Sequence, residues 1–208
     1  DAAFYQAMWQ SIQQKGKWAG EIWNRKKSGE FYPEFITIST IKNDQNEVQN
    51  YLALFSDISI QKNHENKLQR MAHYDSLTGL PNRVLFRDRL DQAIVRCNRN
   101  NNILSLAFLD LDGFKAINDT YGHDIGDQLL KIISSRYSKQ ARESDTIARL
   151  GGDEFIILLN DVDNIEETLS IYDRLLENTR EPIVINGNRL SVSCSIGITY
   201  YPQSSPID

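Results

Sequence analysis

Apolar and polar positions recur along this chain in two rhythms, and the changes of rhythm divide it. From Phe4 to Gln14 the apolar residues Phe4, Ala7, Met8 and Ile12 fall at helical spacing, and Gly16 and Gly20 then interrupt the pattern. Three further runs read as strands: EIWNR, FYPEFITISTI and VQNYLALFSDI, separated by the turns KKSGE and KNDQNE. The second and third alternate apolar with polar over part of their length, as strands with one buried face do. Pro33 suits the start or the edge of a strand. The pattern predicts a short helix followed by an antiparallel meander with little core of its own. From Ser59 the chain turns polar and rich in helix formers, without Gly or Pro, up to His73. Ile60, Lys67, Leu68, Met71 and Ala72 lie near one stripe, which predicts a linker helix able to pair with its copy.

Beyond Tyr74 a larger unit begins. DSLTGLPNR is turn-rich, and a helix with Val84, Leu85, Leu90, Ala93 and Ile94 as its apolar residues runs to about Cys97. ILSLAFL reads as a fully buried strand ending at Asp110. Helices are predicted around Lys115 to Asn118, from Asp127 to about Tyr137, and from Ile165 to about Asn178. TIARL and EFIILL form a hairpin with Gly151 and Gly152 at its turn, and PIVI with LSVSCSIGITY form another around Asn186 and Gly187. Helices interleaved with strands and hairpins imply an α+β sheet with helices on its faces.

Composition narrows the function classes. A length of 208 residues allows one or two domains, and 40% hydrophobic with 25% charged residues is ordinary for a globular protein. A net charge of -5 argues against a surface for polymeric nucleic acid, which needs a basic stripe. A small phosphorylated ligand remains compatible, provided a divalent cation offsets its charge. Cys97 and Cys194 are too few and too far apart for a disulfide framework or zinc site, which fits a cytoplasmic setting. No apolar run approaches the ~20 residues that span a bilayer, so no membrane contact is expected in this segment. The first and last residues read as the interior of a longer protein, whose other parts could tether it to a membrane.

The chemistry gathers at two places. Asp110 and Asp112 end the buried strand and, at i, i+2, point to one side. Helix capping and metal binding both fit that pair. Gly113 permits close approach of a ligand, and the helix start behind it offers free N–H groups to phosphate oxygens. Asn118 and Asp127 lie on helices beside that opening, where solvated positions are the plainer reading. The stretch RLGGDEF sets Asp153 and Glu154 side by side at a hairpin tip: a polar turn, or half of a metal site. If the two strands are neighbours, Asp110 meets Asp153, and carboxylates so placed call for a hard cation, Mg2+ or Mn2+. Such a cluster brings nucleotide phosphates to metal, as in nucleotidyl transfer.

Taken together, DSLTGLPNR, LDLDGFKAINDTYGHDIGD, RLGGDEF and SIGIT closely resemble the GGDEF family of diguanylate cyclases over Tyr74 to Tyr201. The resemblance implies a nucleotidyl-cyclase-like palm with a βαββαβ core. It also implies condensation of two GTP into cyclic di-GMP plus pyrophosphate by a homodimer, with two metal ions per half-site. By position, Asp110, the Leu111 carbonyl, Asp153 and Glu154 correspond to the family's metal ligands. The resemblance makes Asp153 and Glu154 the catalytic acids, Glu154 helping to hold the second ion or assisting deprotonation of the attacking 3'-hydroxyl. Gly113 and Phe114 would face the phosphates, Asn118 and Asp127 would read guanine, and Gly151 and Gly152 would leave room for the nucleotide. Arg142 and Asp145 match the family's RxxD product-inhibition site, with Arg96 and Arg174 as secondary arginines.

The first unit resembles the second half of a PAS sensor domain, through WAGE, the KSGE turn and the closing DIS. Trp18, Trp23 and Phe35 are read there as core, and no ligand is implied. The expected organisation is therefore a partial PAS domain over 1–58, a linker helix over 59–73 and a GGDEF domain over 74–208. The family continues past SIGIT into a helix bearing a Lys and an Arg, then a last strand, so the chain as given is expected to be weakly active or inactive. An alternative reading makes the domain a GTP-binding regulatory module of a larger GGDEF-EAL phosphodiesterase.

Overall fold

The computed structural model describes residues 2–162 and 164–202; the last residues of the expected 74–208 domain lie outside these. The chain divides into two units, Asp1–Gln69 and Arg70–Asp208, and the division falls within a helix. Among the described residues no helix is long and apolar enough to cross a membrane.

The first unit runs α1 (Ala2–Lys15), β1 (Lys17–Arg25), β2 (Phe31–Lys42) and β3 (Val48–Asp57). The strands form the predicted antiparallel meander in the order β1-β2-β3. Helix α1 turns Met8 and Ile12 inward and lays Phe4 against Trp18 and Trp9 against Tyr51, both edge to face. It thereby covers the sheet face that carries Trp18 and Tyr51. Trp23 and Phe35 occupy the opposite face and stay 70% and 43% exposed, which corrects their expected place in a core. Successive strand residues leave opposite faces, and α1 covers only one. Helix α2 (Ser59–His73) comes next, buries none of its side chains, and is tied to β1 by a Lys62–Glu21 ion pair of 2.7 Å.

The second unit contains α3 (Arg83–Asn100), β4 (Ile103–Asp112), α4 (Phe114–Tyr121), α5 (His123–Ser138), β5 (Thr146–Gly151), β6 (Glu154–Val162), α6 (Ile165–Arg180), β7 (Ile183–Ile185), β8 (Asn188–Leu190) and β9 (Ser193–Tyr201). Its main sheet is antiparallel in the order β5-β6-β4-β9. Asn82 starts α3 by accepting hydrogen bonds from the Val84 and Leu85 amides, as a cap should. Strand β4 continues two residues past the expected end at Asp110, α4 runs on from Asn118 to Tyr121, and α5 starts at His123 rather than Asp127.

The expected second hairpin is divided. Only β7 and β8 pair with each other, whereas β9 crosses to the main sheet and lies along β4. Strand β4 is buried in the middle of the sheet, so the backbone groups on its second edge need a partner, and β9 supplies it.

The sheet's two faces are covered differently. Leu109, Leu111, Phe155 and Ile157 pack against Leu129, Ile133 and Tyr137 of α5 and Tyr172 of α6. Ala148, Ile156 and Leu158 pack against Phe86, Ala93 and Cys97 of α3 on the other face. Alternation along β4 therefore puts Leu109 and Leu111 in the α5–α6 core and Asp110 and Asp112 on the α3 side. Phe155 is fully buried and meets the Tyr137 ring edge to face at 5.4 Å. Replacing it with Ala is expected to cost about 3–5 kcal/mol of stability, read as a lower urea midpoint for the second unit.

Candidate functional site

The β4–β6 ladder sets Asp110 directly opposite Glu154, and the Leu111 amide donates to the Asp153 carbonyl at 3.4 Å. The hairpin tip between β5 and β6 is the pair Gly152–Asp153. Gly151 and Gly152 have φ of 143° and 54°, and a side chain on either would meet nothing within 4 Å. Backbone conformation therefore demands glycine here, and the space above the tip stays free for a ligand.

Asp110 is exposed at the rim of the sheet. Partial desolvation, then the nearby charges of Asp153, Glu154 and Asp112, raise its pKa above the ordinary carboxylate value. Asp112 has a different fate from its neighbour. Its two oxygens accept from the hydroxyls of Ser193 and Ser195 on β9, each at 2.8 Å. It does not cap α4, whose N-cap is Gly113 with no side-chain hydrogen bond. Of the two strand-end acids, Asp110 is thus the one left free for chemistry.

Among the described residues, no three His, Cys, Asp or Glu are grouped closely enough to hold a metal by themselves. The donor chemistry nevertheless suits a hard cation, since Asp110, Asp153 and Glu154 crowd like charge around one strand end. Mg2+ ordinarily keeps several waters and takes one or two carboxylates plus substrate phosphates, so an open set of this kind fits it. Asp110 and Glu154 also line a cleft of about 780 Å³, walled by Phe108 and Ile156 and bordered by Arg83 and Arg87 of α3.

Beside the strand end, Gly113 opens α4, and a Cβ there would meet nothing within 4 Å. Phe114 begins the helix with its ring buried. Asn118 of α4 sits against Gly126 of α5, the residue before the exposed Asp127. The structure thus brings Asn118 and Asp127 to one place, on two packed helices. Asn118 Oδ1 is sealed from solvent and has no hydrogen-bond partner among the described residues. An orphaned polar atom of this kind costs about 1–3 kcal/mol until a donor reaches it. Gly126 is buried inside a helix, where glycine costs about 0.8–1.0 kcal/mol relative to alanine.

The residues expected at a product site are only partly gathered. Asp145 accepts from the Arg142 amide at 2.9 Å and from the Asn160 amide at 3.3 Å, closing a tight turn before β5. Arg96 and Asp145 line one depression of about 250 Å³, while the Arg142 side chain is exposed and lines a different, smaller one with Asp145. Arg174, on α6, lines neither.

Sequence reading assigned no role to Arg149, although it stands in RLGGDEF. Its guanidinium donates twice to the Gly152 carbonyl, at 2.9 and 2.7 Å, and once to Asp75 at 2.9 Å. Asp75 also accepts from the Thr78 amide and hydroxyl, and the Arg149 amide donates to Pro81. The turn-rich stretch DSLTGLPNR is therefore the anchor of the hairpin tip. An Arg within the apolar run TIARL was the available signal, because a buried guanidinium must find acceptors.

A model of the family described as "Diguanylate cyclase, GGDEF domain" matches residues 72–207. The chain belongs to the GGDEF family. Cyclic di-GMP phosphodiesterase NbdA of Pseudomonas aeruginosa is 45% identical over 136 residues, which are 65% of this chain and 17% of that protein. Diguanylate cyclase TpbB of the same species is 44% identical over 137 residues, 65% of this chain and 32% of TpbB. The solved GGDEF domain of TpbB covers 62% of this chain and 76% of its own with a TM-score of 0.61 at 44% identity. The coiled coil and GGDEF domain of DgcB from Caulobacter crescentus, solved with c-di-GMP, gives 0.63 at 26% identity, covering 69% of this chain and 76% of its own. The chain spans a third or less of the length of these two curated relatives. The second unit is thus the nucleotidyl-cyclase-like palm of a GGDEF domain, its βαββαβ core built from β4, α4–α5, β5, β6, α6 and β9.

The Arg149 clamp has a pH signature. Burial works to raise the Asp75 pKa, but the Thr78 and Arg149 hydrogen bonds outweigh it and hold the carboxyl below its ordinary value. A depressed folded pKa contributes stability above the unfolded value of about 3.9, and that contribution drains away as pH falls through the lower folded value. Asp75→Asn is expected to destabilise the second unit by about 1–3 kcal/mol at pH 7 and to remove that acid-side loss. Urea titrations of both proteins between neutral and acid pH check this, and an unchanged pH slope would contradict it.

Proposed function

We propose that the second unit is a diguanylate cyclase half-site that binds one GTP and joins it to a second GTP held by a facing copy. The observation that carries this reading is the juxtaposition of Asp110, Asp153 and Glu154 beside the open N-terminus of α4, with Asn118 on α4 and Asp127 on the packed α5. Asp110, Asp153, Glu154 and the Leu111 carbonyl would hold Mg2+ or Mn2+, two ions per half-site. When bound, such ions neutralise phosphate charge and favour ionisation of the attacking hydroxyl. The Gly113 and Phe114 amides receive the β- and γ-phosphates, where the helix dipole favours negative charge. Asp127 accepts from both N–H donors on the Watson–Crick edge of guanine, and Asn118 meets the base beside it. Glu154 takes the proton from a 3'-hydroxyl as its oxygen bonds to the α-phosphorus of the other GTP. The bond to the bridging oxygen breaks there, and pyrophosphate leaves. Two such steps close the ring of cyclic di-GMP.

Regulation belongs to the same proposal. Residues 1–58 are read as the C-terminal part of a PAS sensor, 59–73 as the signalling helix and 74–208 as the cyclase domain. A helix followed by a three-stranded meander supports the first assignment. Ile60, Leu68 and Met71, all more than 60% exposed on α2, support pairing of two linker helices in a homodimer. Arg142 and Asp145, with Arg96, are read as the feedback site for cyclic di-GMP, from which Arg174 is left out because it lines neither depression, and the DgcB domain solved with that molecule supports family members binding it. The parent protein would work in the cytoplasm, with or without a membrane tether. NbdA is a cyclic di-GMP phosphodiesterase of which this chain spans 17%, and that favours one further reading. In it, the same site binds GTP to regulate a larger phosphodiesterase.

Fluorescent GTP binding and cyclic di-GMP formation test the assignment together. In a longer chain that includes the family's following helix and strand, Asp153→Ala is expected to cut cyclic di-GMP formation by about 100-fold or more while leaving the melting temperature unchanged. Asp127→Asn should lower the preference for GTP over ATP by at least about tenfold. Unaltered turnover in the first, or unaltered preference in the second, would remove the corresponding role.

A further inference from the structure

Gly126 has no role in the cyclase reading, yet its contact with Asn118 is the tightest that any glycine makes with a polar side chain in the second unit. The residue lies on the buried face of α5 with helical backbone, so no unusual φ requires glycine. An alanine would favour the helix, and the reason for glycine must lie in what it faces. A Cβ built there falls inside the van der Waals shell of Asn118 Oδ1, lies 3.0 Å from its Cγ, and stands 3.3 Å from Phe114 Cζ. The Asn118 carboxamide is therefore seated in the notch that the missing side chain leaves, with Oδ1 buried and unpartnered.

We propose that Gly126 is a specificity-determining positioning residue, which seats the Asn118 carboxamide at the depth where guanine meets both it and Asp127. The proposal rests on the reading of Asn118 and Asp127 as base readers and adds the device that places one beside the other. Any larger side chain at position 126 lifts the carboxamide out of its notch toward the space the base would occupy. The short α4 helix limits the alternatives, because Phe114 one turn earlier is itself buried against the same spot. Asp127, the next residue of α5, keeps its place because the α5 backbone need not move. The expected defect therefore concerns the base and spares the phosphates.

The test is a double-mutant cycle on the whole 208-residue chain, with ribose-labelled GTP, ITP and ATP in the presence of Mg2+. Gly126→Ala is expected to weaken GTP binding at least about tenfold while ATP binding and melting temperature hold or rise. In an Asn118→Ala background, the same substitution should change GTP affinity by less than about twofold. ITP, which lacks the 2-amino group, shows whether the lost discrimination includes that group. Wild-type GTP affinity in Gly126→Ala, or an equal loss with and without Asn118, overturns the proposal. Should Gly126→Ala fail to fold, recovery of the melting temperature on adding Asn118→Ala supports the contact, and failure to recover overturns it. Absence of guanine-nucleotide binding by the unsubstituted chain would instead remove the cyclase reading, and this proposal with it.

Discussion

A slip of one residue in the β4–β6 ladder would turn Asp110 into the core and Leu109 or Leu111 out of it. The register is secured because Leu109, Leu111, Phe155 and Ile157 all bury on the α5–α6 face of the sheet. Their burial forces Asp110 and Glu154 onto the other face, opposite each other, at the end of the strands that α3 leaves uncovered. The acids of the site are therefore held by hydrophobic packing on the reverse side of the same strands. This division explains the mixed character of GGDEF in this chain, where Phe155 serves the core while Asp153 and Glu154 serve the rim.

Packing alone would leave the tip of the β5–β6 hairpin free to move, since Gly151 and Gly152 add no side chains to hold it. Arg149 supplies the restraint by gripping the Gly152 carbonyl and resting on Asp75. Asp75 stands two residues after α2 ends at His73, and the Asn82 amide and carboxamide return to the His73 and Ala72 carbonyls. Within the second unit, a continuous chain of hydrogen bonds thus joins the end of the linker helix to the residue before Asp153. One end of that chain is the C-terminus of α2, and the other is the tip of the β5–β6 hairpin beside Asp153. The same economy appears on β9, where Ser193 and Ser195 occupy the Asp112 oxygens and leave Asp110 as the acid facing the hairpin.

The contact between α4 and α5 obeys a different logic. Where the acids are held by burial behind them, Asn118 is held by an absence, the side chain that Gly126 lacks. Asn118 Oδ1, left without a hydrogen-bond partner among the described residues, carries a cost of about 1–3 kcal/mol.

Local pattern determined much of this from sequence alone. Period-2 runs marked the meander, a continuous apolar run marked β4, and helical spacing marked α1, α3 and α6. The order of motifs placed Asp110, Asp153, Asn118 and Asp127 in one family without any knowledge of the fold. These features are legible because each depends on neighbours a few residues away. The remainder depended on contacts between distant segments, which no local rule encodes. That β9 leaves its expected hairpin to join β4 depends on the open edge of a strand some eighty residues earlier. Trp23 and Phe35 fall outside the core because one helix covers only one face of three strands. Arg149 finds Asp75 across 74 residues, and Gly126 finds Asn118 across the groove between α4 and α5. Sequence named the candidate groups for chemistry, and tertiary structure decided which residues hold them in place, because holding is done by whatever the fold brings alongside.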